Sequence, residues 1–502
     1  MDNMEKALVP EGAAKPAQNV RKIYEVTPRG RLLLAAALAF CLLLVNALGW
    51  PWGAGNTATV FAWYALLLPA MGREALFRRR ESRVLLAYNL LLAASFSLTS
   101  NPFFRLWNFL ALALLVPLQA ASLPAGDLLP WWRPAMLKER LELLCRGAFC
   151  HLGAAPAALS AGREKKSVSL TVVLGSAAAL ALVSALLPIL ASADALFAAA
   201  TRELTEFIQL HFARGLWKFF WALVLTPFLF GLLYALRHTP ARAGTHTLCT
   251  VDSALFAIIL GALDALYLLF LAVQSAGLFG GPEYLAQRGV SYAEWARSGF
   301  FQMVGVTIVN LAAVMAALTF SQQEGRSWRA LRGLAAALVG ESLVLLSSAA
   351  WRMTLYISAY GLSFKRCMTY WGMVMMALFL LSALGKIRRP ENSFCRRALP
   401  LALAGWLVIN CIPVDYLVAK NQVDRCLSGR SEMVDARYLL YHLSYDTLSQ
   451  LERLDGDKVY QLGGGHTRRL ADLLEERREA ARADCAGWRG WNLSACLAAG
   501  GG

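Results

Sequence analysis

Charge is scarce in this chain of 502 residues: Asp, Glu, Lys and Arg make up 16%, against roughly 25% in an average soluble domain. Hydrophobic residues make up 57%, more than a water-soluble fold of this size can hide. Histidine is rarer still, with six in all, and no His-Glu-x-x-His helix, four-ligand Cys/His spacing or glycine-rich phosphate loop is present. Zinc-hydrolase, structural-zinc and P-loop readings are therefore excluded, and no cofactor or metal is expected. Neither serine nor cysteine occurs in a recognisable nucleophile setting. An internal repeat, which many two-fold transporters carry, is also missing.

What the chain has instead is long apolar runs. Leu32 to Gly49 and Val168 to Ala191 contain no charged residue in any register. Each reaches the ~20 residues needed to cross a hydrocarbon core of about 30 Å. Inside that core every backbone amide must be satisfied internally, and runs of this length achieve it as helices. Spanning helices are expected near 32–50, 57–71, 84–99, 103–120, 168–191, 216–236, 251–274, 299–320, 330–350, 367–385 and 398–416. Those at 57–71 and 84–99 are short and fit tilted or re-entrant segments. The expected fold class is all-α: a polytopic transmembrane helical bundle of about eleven spanning helices with a small helical exoplasmic C-terminal tail. Residues 1–31 form a cytoplasmic N-terminal segment, 32–416 the transmembrane domain, and 417–502 the tail.

The loops alternate in charge. One set carries 26 Lys and Arg, among them Arg78, Arg79 and Arg80; the opposite set carries 9. Because Lys and Arg near helix ends stay cytoplasmic on insertion, the amino terminus is expected in the cytoplasm and the carboxyl terminus outside. The same alternation accounts for most of the net charge of +16. Nucleic acid is rejected as a partner, since the basic residues cluster at membrane edges, where anionic headgroups attract them. With about thirty polar or mixed residues before it and no cleavage site close behind, the first helix is expected to stay as an anchor.

Ten cysteines are scattered without a pairing rhythm. Cys485 and Cys496 would close a small loop in an oxidising compartment, with Cys426 left over. The segment 131–151 reads as an interfacial amphipathic helix, with Leu137, Leu141 and Leu144 opposite Lys138, Arg140, Glu142 and Arg146. An exoplasmic loop covers 275–298. The tail is charged, its apolar residues recurring at helical spacing around Gly463, Gly464 and Gly465, and Asp455-Gly456-Asp457 reads as a turn.

Several strings carry a family likeness: Leu278-Phe279-Gly280-Gly281, Tyr292-Ala293-Glu294-Trp295-Ala296-Arg297 and Gly299-Phe300-Phe301; Ser192-Ala193-Asp194; and Arg352-Met353, Leu355-Tyr356 and Tyr360-Gly361-Leu362-Ser363. Asn421, Tyr438-Leu439, Trp491 and Asn492-Leu493-Ser494 extend it into the tail. Together they resemble an uncharacterised bacterial family, domain of unknown function 4173, with the related 4153 group. The resemblance implies a multi-pass protein of a bacterial cell membrane and supplies no catalytic or binding residues.

Site candidates therefore come from physics. A charged side chain near the bilayer midplane costs at least ~2.5 kcal/mol, so it is paired, protonated or functional. Asp264 and Glu341 each stand halfway along a run, and if their helices pack together they are placed to share a proton in an ion or proton relay. The plainer reading makes each a neutral acid bonding a neighbouring helix, as expected for Asn89, Asn108, Asn310 and Asn410. Arg352, Tyr356 and Tyr360 fall at i, i+4 and i+8, a stripe suited to an anionic headgroup with Glu294 and Arg297 from the other loop; its alternative is an interfacial belt. Gly175 and Ala179 suggest close helix packing. A class of lipid-linked sugar transferases places an acidic residue in its first exoplasmic loop, and Trp50 to Thr57 here holds none. Three functions stay open: a membrane scaffold or sensor meeting a protein partner through its tail, an ion-coupled transporter, and a lipid-handling enzyme.

Overall fold

The computed structural model describes residues 29–47, 49, 51–133, 135–160, 213–238, 251–279, 300–461 and 467–500, with isolated positions between 175 and 192. The expected crossing at 168–191 lies outside these residues apart from those positions. Gly175 and Ala179 are among them and are exposed. A Cβ at Gly175 would meet no atom of the described residues within 4 Å.

The N-terminal half of the bundle comprises α1 (Arg29–Ala47), α2 (Ala54–Met71), α3 (Arg73–Arg78), α4 (Arg80–Leu98), α5 (Pro102–Ala120), α6 (Ala135–Cys150), α7 (Ala154–Ser160) and α8 (Ala213–His238). Local chemistry sets the start of α5: Pro102 occupies its first turn, where a missing N–H costs nothing, and the Asn101 side chain accepts from Phe104 N at 3.0 Å. Trp63, Leu67, Leu76, Leu123, Leu233 and Leu236 form a buried core between α2, α3, α8 and the end of α5.

The second group is α9 (Ser253–Phe279), α10 (Phe300–Phe320), α11 (Gly325–Tyr360) and α12 (Phe364–Arg388), packed around Leu260, Val314, Leu331, Leu338 and Leu380. α13 (Cys395–Cys411) runs against α12 and α4. Its exposed surface is apolar, as lipid requires: on α9, Ile258 is 72% exposed while Asp264 is 5% exposed.

Six described helices are long and apolar enough to cross a membrane: α1, α5, Gly215–His238 of α8, Ser253–Val273 of α9, α11 and α12. A seventh arises if α13 and α14 (Val414–Leu427), bent by 49° at Pro413, count as one. The expected count of about eleven is thus not confirmed among the described residues. α2 and α4 are helices but carry Asn56, Thr57, Asn89, Ser95 and Ser97 inside, and α10 contributes only a shorter apolar stretch, Val304–Phe320.

Within the segment 131–151, which holds α6, one residue departs from the expected polar face. Leu137 and Leu141 are exposed, whereas Arg140 is 1% exposed. Its guanidinium donates to Glu139 Oε2 at 3.0 Å and to the Leu129 carbonyl at 3.2 Å. Gly147 lies on Leu232 and Ala235 of α8, so close that a Cβ would approach Ala235 Cβ to 3.2 Å. The helix docks through Gly147, Leu143 and the buried Arg140, leaving Leu137 and Leu141 to face outward.

The tail continues from α14 through α15 (Ala436–Tyr441), a 3₁₀ turn at Tyr445–Thr447, α16 (Leu448–Leu451), β1 (Val459–Gln461), β2 (Thr467–Arg469), α17 (Leu470–Ala486) and α18 (Leu493–Gly500). It is not wholly helical: β1 and β2 form an antiparallel ribbon with Tyr460 opposite Arg468. The three glycines expected to interrupt the helices lie outside the described residues, between these strands. Asp455-Gly456-Asp457 is a turn, with Asp457 N donating to Asp455 Oδ1 at 3.0 Å. Val418, Leu439, Leu440, Leu448, Leu451, Tyr460, Leu470 and Leu473 make one core that also takes in Phe104 of α5 and Ile409 of α13. The tail is therefore built onto the bundle, and Cys485 and Cys496 are joined as a disulfide.

Candidate functional site

Asp264 on α9 and Glu341 on α11 are brought together where these helices pack, 5% and 8% exposed, each within range of the other's charge. Neither oxygen of Asp264 has a hydrogen-bond partner among the described residues, and Oε2 of Glu341 has none. Beside them the Tyr267 hydroxyl meets Asn310, Asn310 Nδ2 donates to Ser342 Oγ at 3.0 Å, and Ser342 donates back to the Leu338 carbonyl. Asn310 thus ties α10 to α11, as Asn89 ties α4 to Tyr64 of α2 at 2.8 Å and Asn108 ties α5 to Asn410 of α13 at 2.7 Å. Two cavities among the described residues, of about 320 and 330 Å³, are lined by other residues than Asp264 and Glu341.

The Arg352, Tyr356 and Tyr360 stripe stays helical at the end of α11. Tyr356 and Tyr360 lie with ring centroids 5.0 Å apart, and the cation over them is Arg366, 4.2 Å from the Tyr356 ring. Arg352 is buried lower on the same helix. Arg366 also donates to the carbonyls of Tyr360 and Gly361, which engages its donors internally. Glu294 and Arg297 lie outside the described residues. Gly361, φ 76°, ends α11 and leaves room for Arg425 and Gln422 of α14. Arg425 donates to the carbonyls of Ser358 and Ala359 at 3.0 and 2.7 Å.

A third constellation escaped sequence reasoning altogether. At the junction of bundle and tail, Asp415 Oδ2 accepts from Asn101 Nδ2 at 2.7 Å and from Ser444 N at 2.9 Å. Ser100 Oγ meets Ser494 Oγ at 3.0 Å and accepts from Tyr445 N at 3.1 Å. Asp446 accepts from Ser494 Oγ at 2.6 Å and from Ser444 Oγ at 3.0 Å. The Tyr445 hydroxyl donates to Asp484 Oδ2 at 2.8 Å, with the Arg477 guanidinium 4.3 Å from its ring. Arg105, 4% exposed at the base of α5, feels the charge of Asp484 and donates Nε to the Thr99 carbonyl at 3.0 Å. α14 packs into the tail core through Val414, Val418 and Val423, which sets Asp415 among the residues of the tail. Burial pushes its carboxyl above the ordinary range, and burial pushes the Tyr445 hydroxyl up to about 12. The only hint in the sequence is Ser100-Asn101-Pro102, a helix start whose cap residue doubles as a donor to a partner 314 positions away.

The tail meets the bundle a second time. Ala54 N donates to the Trp491 carbonyl at 2.9 Å and Gly55 N to that of Arg489 at 3.1 Å. A Cβ on Gly53 would come within 2.5 Å of the Gly490 backbone, so only glycine permits this approach. The disulfide brackets the loop that makes it.

At the opposite end of the bundle Arg78 Nη2 donates to the carbonyls of Leu123 and Pro124 at 2.8 and 2.9 Å, and Arg237 Nη1 to that of Ala70 at 3.2 Å. Arg332 Nε donates to the Ile387 carbonyl at 2.9 Å, beside the 320 Å³ cavity that Arg329 and Arg388 also line. Among the described residues no group of three or more His, Cys, Asp or Glu side chains is placed to hold a metal ion.

A family model described as Domain of unknown function (DUF4153) matches residues 86–454. The chain belongs to the DUF4153 family. The DUF4153 match runs from within α4 to just past α16, so it includes Asp264, Glu341, Asp415 and Asp446 and leaves α1 to α3, the ribbon, α17 and α18 outside. No curated protein and no solved structure matches the chain. The family match upholds the 4153 part of the likeness read from the sequence.

Proposed function

We propose that this DUF4153 protein is a membrane scaffold or sensor that holds a folded domain against the outer ends of its helices and couples that domain to the bundle. The observation that carries the reading is the junction network, in which Ser100 and Asn101 of the bundle share buried hydrogen bonds with Asp415, Tyr445 and Ser494 of the tail. Buried polar networks are costly when half satisfied, so a change on one side is felt on the other. The setting we infer is a bacterial plasma membrane, in a 4173-like branch of the family, with about eleven crossings, the amino terminus in the cytoplasm and the tail outside. The charge alternation of the loops favours that orientation, and a disulfide in the tail suits an oxidising compartment.

Hydrogen exchange on the purified chain in lipid nanodiscs tests the coupling. Asn101→Ala should raise exchange across 436–451, and Cys485→Ser with Cys496→Ser should raise it across 99–108. Changes confined to the altered side would refute the reading.

A proton- or ion-coupled transporter is the second reading, favoured by the unpartnered oxygens of Asp264 next to Glu341. It requires flux in proteoliposomes that Asp264→Asn or Glu341→Gln removes. The packing of both residues between helices, away from the two cavities described, supports the scaffold instead.

A further inference from the structure

α11 and α12 are each long and apolar enough to cross a membrane, and the start of one meets the end of the other at the side of the bundle away from the tail. The cavity of about 320 Å³ lies between them, lined by Arg329, Arg332 and Arg388 together with Gly333, Ala336 and Leu384. Arg388 is the last residue of α12, and Arg329 follows the first turn of α11. From Arg329 to Ala336 the cavity wall runs about 10 Å along the helix, at ~1.5 Å per residue. It thus begins at the helix ends, where lipid phosphates lie, and continues into the apolar stretch.

The arginines are arranged unlike those of the tail. There Arg453, Arg468, Arg469, Arg478 and Arg482 are each paired with a carboxylate. Among the described residues no carboxylate pairs with Arg329, Arg332 or Arg388. Charge that serves only to orient a chain need only remain on the aqueous side of the helix ends. Three cations converging on one cavity repel one another, and an anion between them reverses the sign of that interaction.

Arg332 is held in place by α12. Its Nε donates to the Ile387 carbonyl at 2.9 Å and its Nη2 to the Arg388 carbonyl at 3.2 Å. These are terminal carbonyls of the helix, which carry its partial negative charge. The guanidinium covers them and offsets the repulsion they would set against an anion. Arg329 and Arg388 are exposed and uncommitted among the described residues, and Gly333 between them is exposed too. A Cβ on Gly333 would meet no atom of the described residues within 4 Å, so the cavity is open on that side.

We propose that this cavity binds an anionic phosphate group. Arg329 and Arg388 supply forked hydrogen bonds to its oxygens, and the anchored Arg332 supplies fixed charge. Basic pockets between membrane helices suit anionic headgroups in this way. The apolar continuation along Ala336 and Leu384 accommodates the glycerol and first acyl carbons of a lipid such as phosphatidylglycerol, whereas inorganic phosphate offers the same oxygens without them. The site shares no residue with the junction network and does not depend on the scaffold reading.

The test uses the full chain purified in detergent and titrated with phosphatidylglycerol, with phosphatidylcholine of the same acyl chains, or with inorganic phosphate. Native mass spectrometry counts what stays bound. One of the two anionic ligands should bind more tightly than phosphatidylcholine, whose choline cation the arginines repel. Arg329→Gln with Arg388→Gln should weaken that binding roughly 30-fold at an unchanged melting temperature. Gly333→Leu, which fills the open side from an exposed position, should weaken it as well, and decides the matter if the arginine variant fails to fold. Tighter binding of phosphatidylglycerol than of inorganic phosphate makes the ligand a lipid headgroup, the reverse makes it free phosphate, and either supports the site. Equal retention of the two lipids with no phosphate bound, binding unchanged in both variants, or no retention of either anionic ligand would overturn the proposal.

Discussion

Asp415 offers the sharpest test of how tail and bundle are joined. Its Oδ2 accepts from two donors, Asn101 Nδ2 and Ser444 N, while Oδ1 is buried without a partner among the described residues. Asp415→Ala leaves both donors buried and unpaired. At roughly 1–3 kcal/mol for each orphaned donor, the cost is ~2–6 kcal/mol. Because each 1.4 kcal/mol is a factor of ten, even the low end multiplies the opening of the junction about 30-fold. Asp415→Asn keeps the acceptor for both donors but buries an amide N–H2 where Oδ1 has no partner among the described residues, so its cost should be about 1–3 kcal/mol, below that of Asp415→Ala. Hydrogen exchange of 436–451 in nanodiscs reads both variants directly.

The sign of the pH dependence follows from the same site. Burial raises the folded pKa of Asp415 above its unfolded value, so between the two values the folded state holds more protons and stability falls as pH rises. The tail should be most firmly docked below the ordinary carboxylate range and loosen as pH climbs through the raised value, and Asp415→Asn should abolish that slope. Equal exchange in wild type and Asp415→Ala, or the same slope in Asp415→Asn, would refute the reasoning.

Reduction of the Cys485–Cys496 disulfide should destabilise the tail by roughly 2–3 kcal/mol, the scale for a short closed loop, and should raise proteolysis between 487 and 492 with α9 to α12 unaffected. Gly361→Ala, at φ 76° with a Cβ 2.9 Å from the Arg425 side chain, should cost more than the ~1 kcal/mol by which Gly and Ala ordinarily differ; an unchanged melting temperature would argue against the strain. Asp264→Asn takes no acceptor from an existing donor but buries an unpartnered amide N–H2, so its cost in thermal stability should stay within about 1–3 kcal/mol, and a larger loss would reveal a hydrogen-bond partner of the carboxyl group. Arg366→Ala should cost ~0.5–1 kcal/mol through the lost stacking on Tyr356, measured by thermal unfolding in detergent.

Helix content and membrane residence were legible from composition and run length, because a chain surrounded by lipid must bond its own backbone and turn apolar side chains outward. Intramembrane polar residues were legible too: Asp264 and Glu341 stand out against leucine, and the pairing of Asn108 with Asn410 is the kind of bond lipid rewards. Crossing number was less so, since α2 and α4 mix Asn, Ser and Thr into their apolar faces and the period of a helix does not reveal which neighbour absorbs them. Arg140 shows the same gap. Its place among charged neighbours suggests solvent, and only the Leu129 carbonyl and Glu139, brought close by folding, make burial affordable.

Lipid as solvent is thus written in local composition, where each residue contributes on its own. Everything at the junction depended on the tertiary structure. Asn101 and Asp415, Ser100 and Ser494, and Gly53 and Gly490 are separated by hundreds of positions, and no periodicity links them. A buried hydrogen bond acquires its value from the desolvated partner it meets, and that meeting exists only after the tail has settled on the helices.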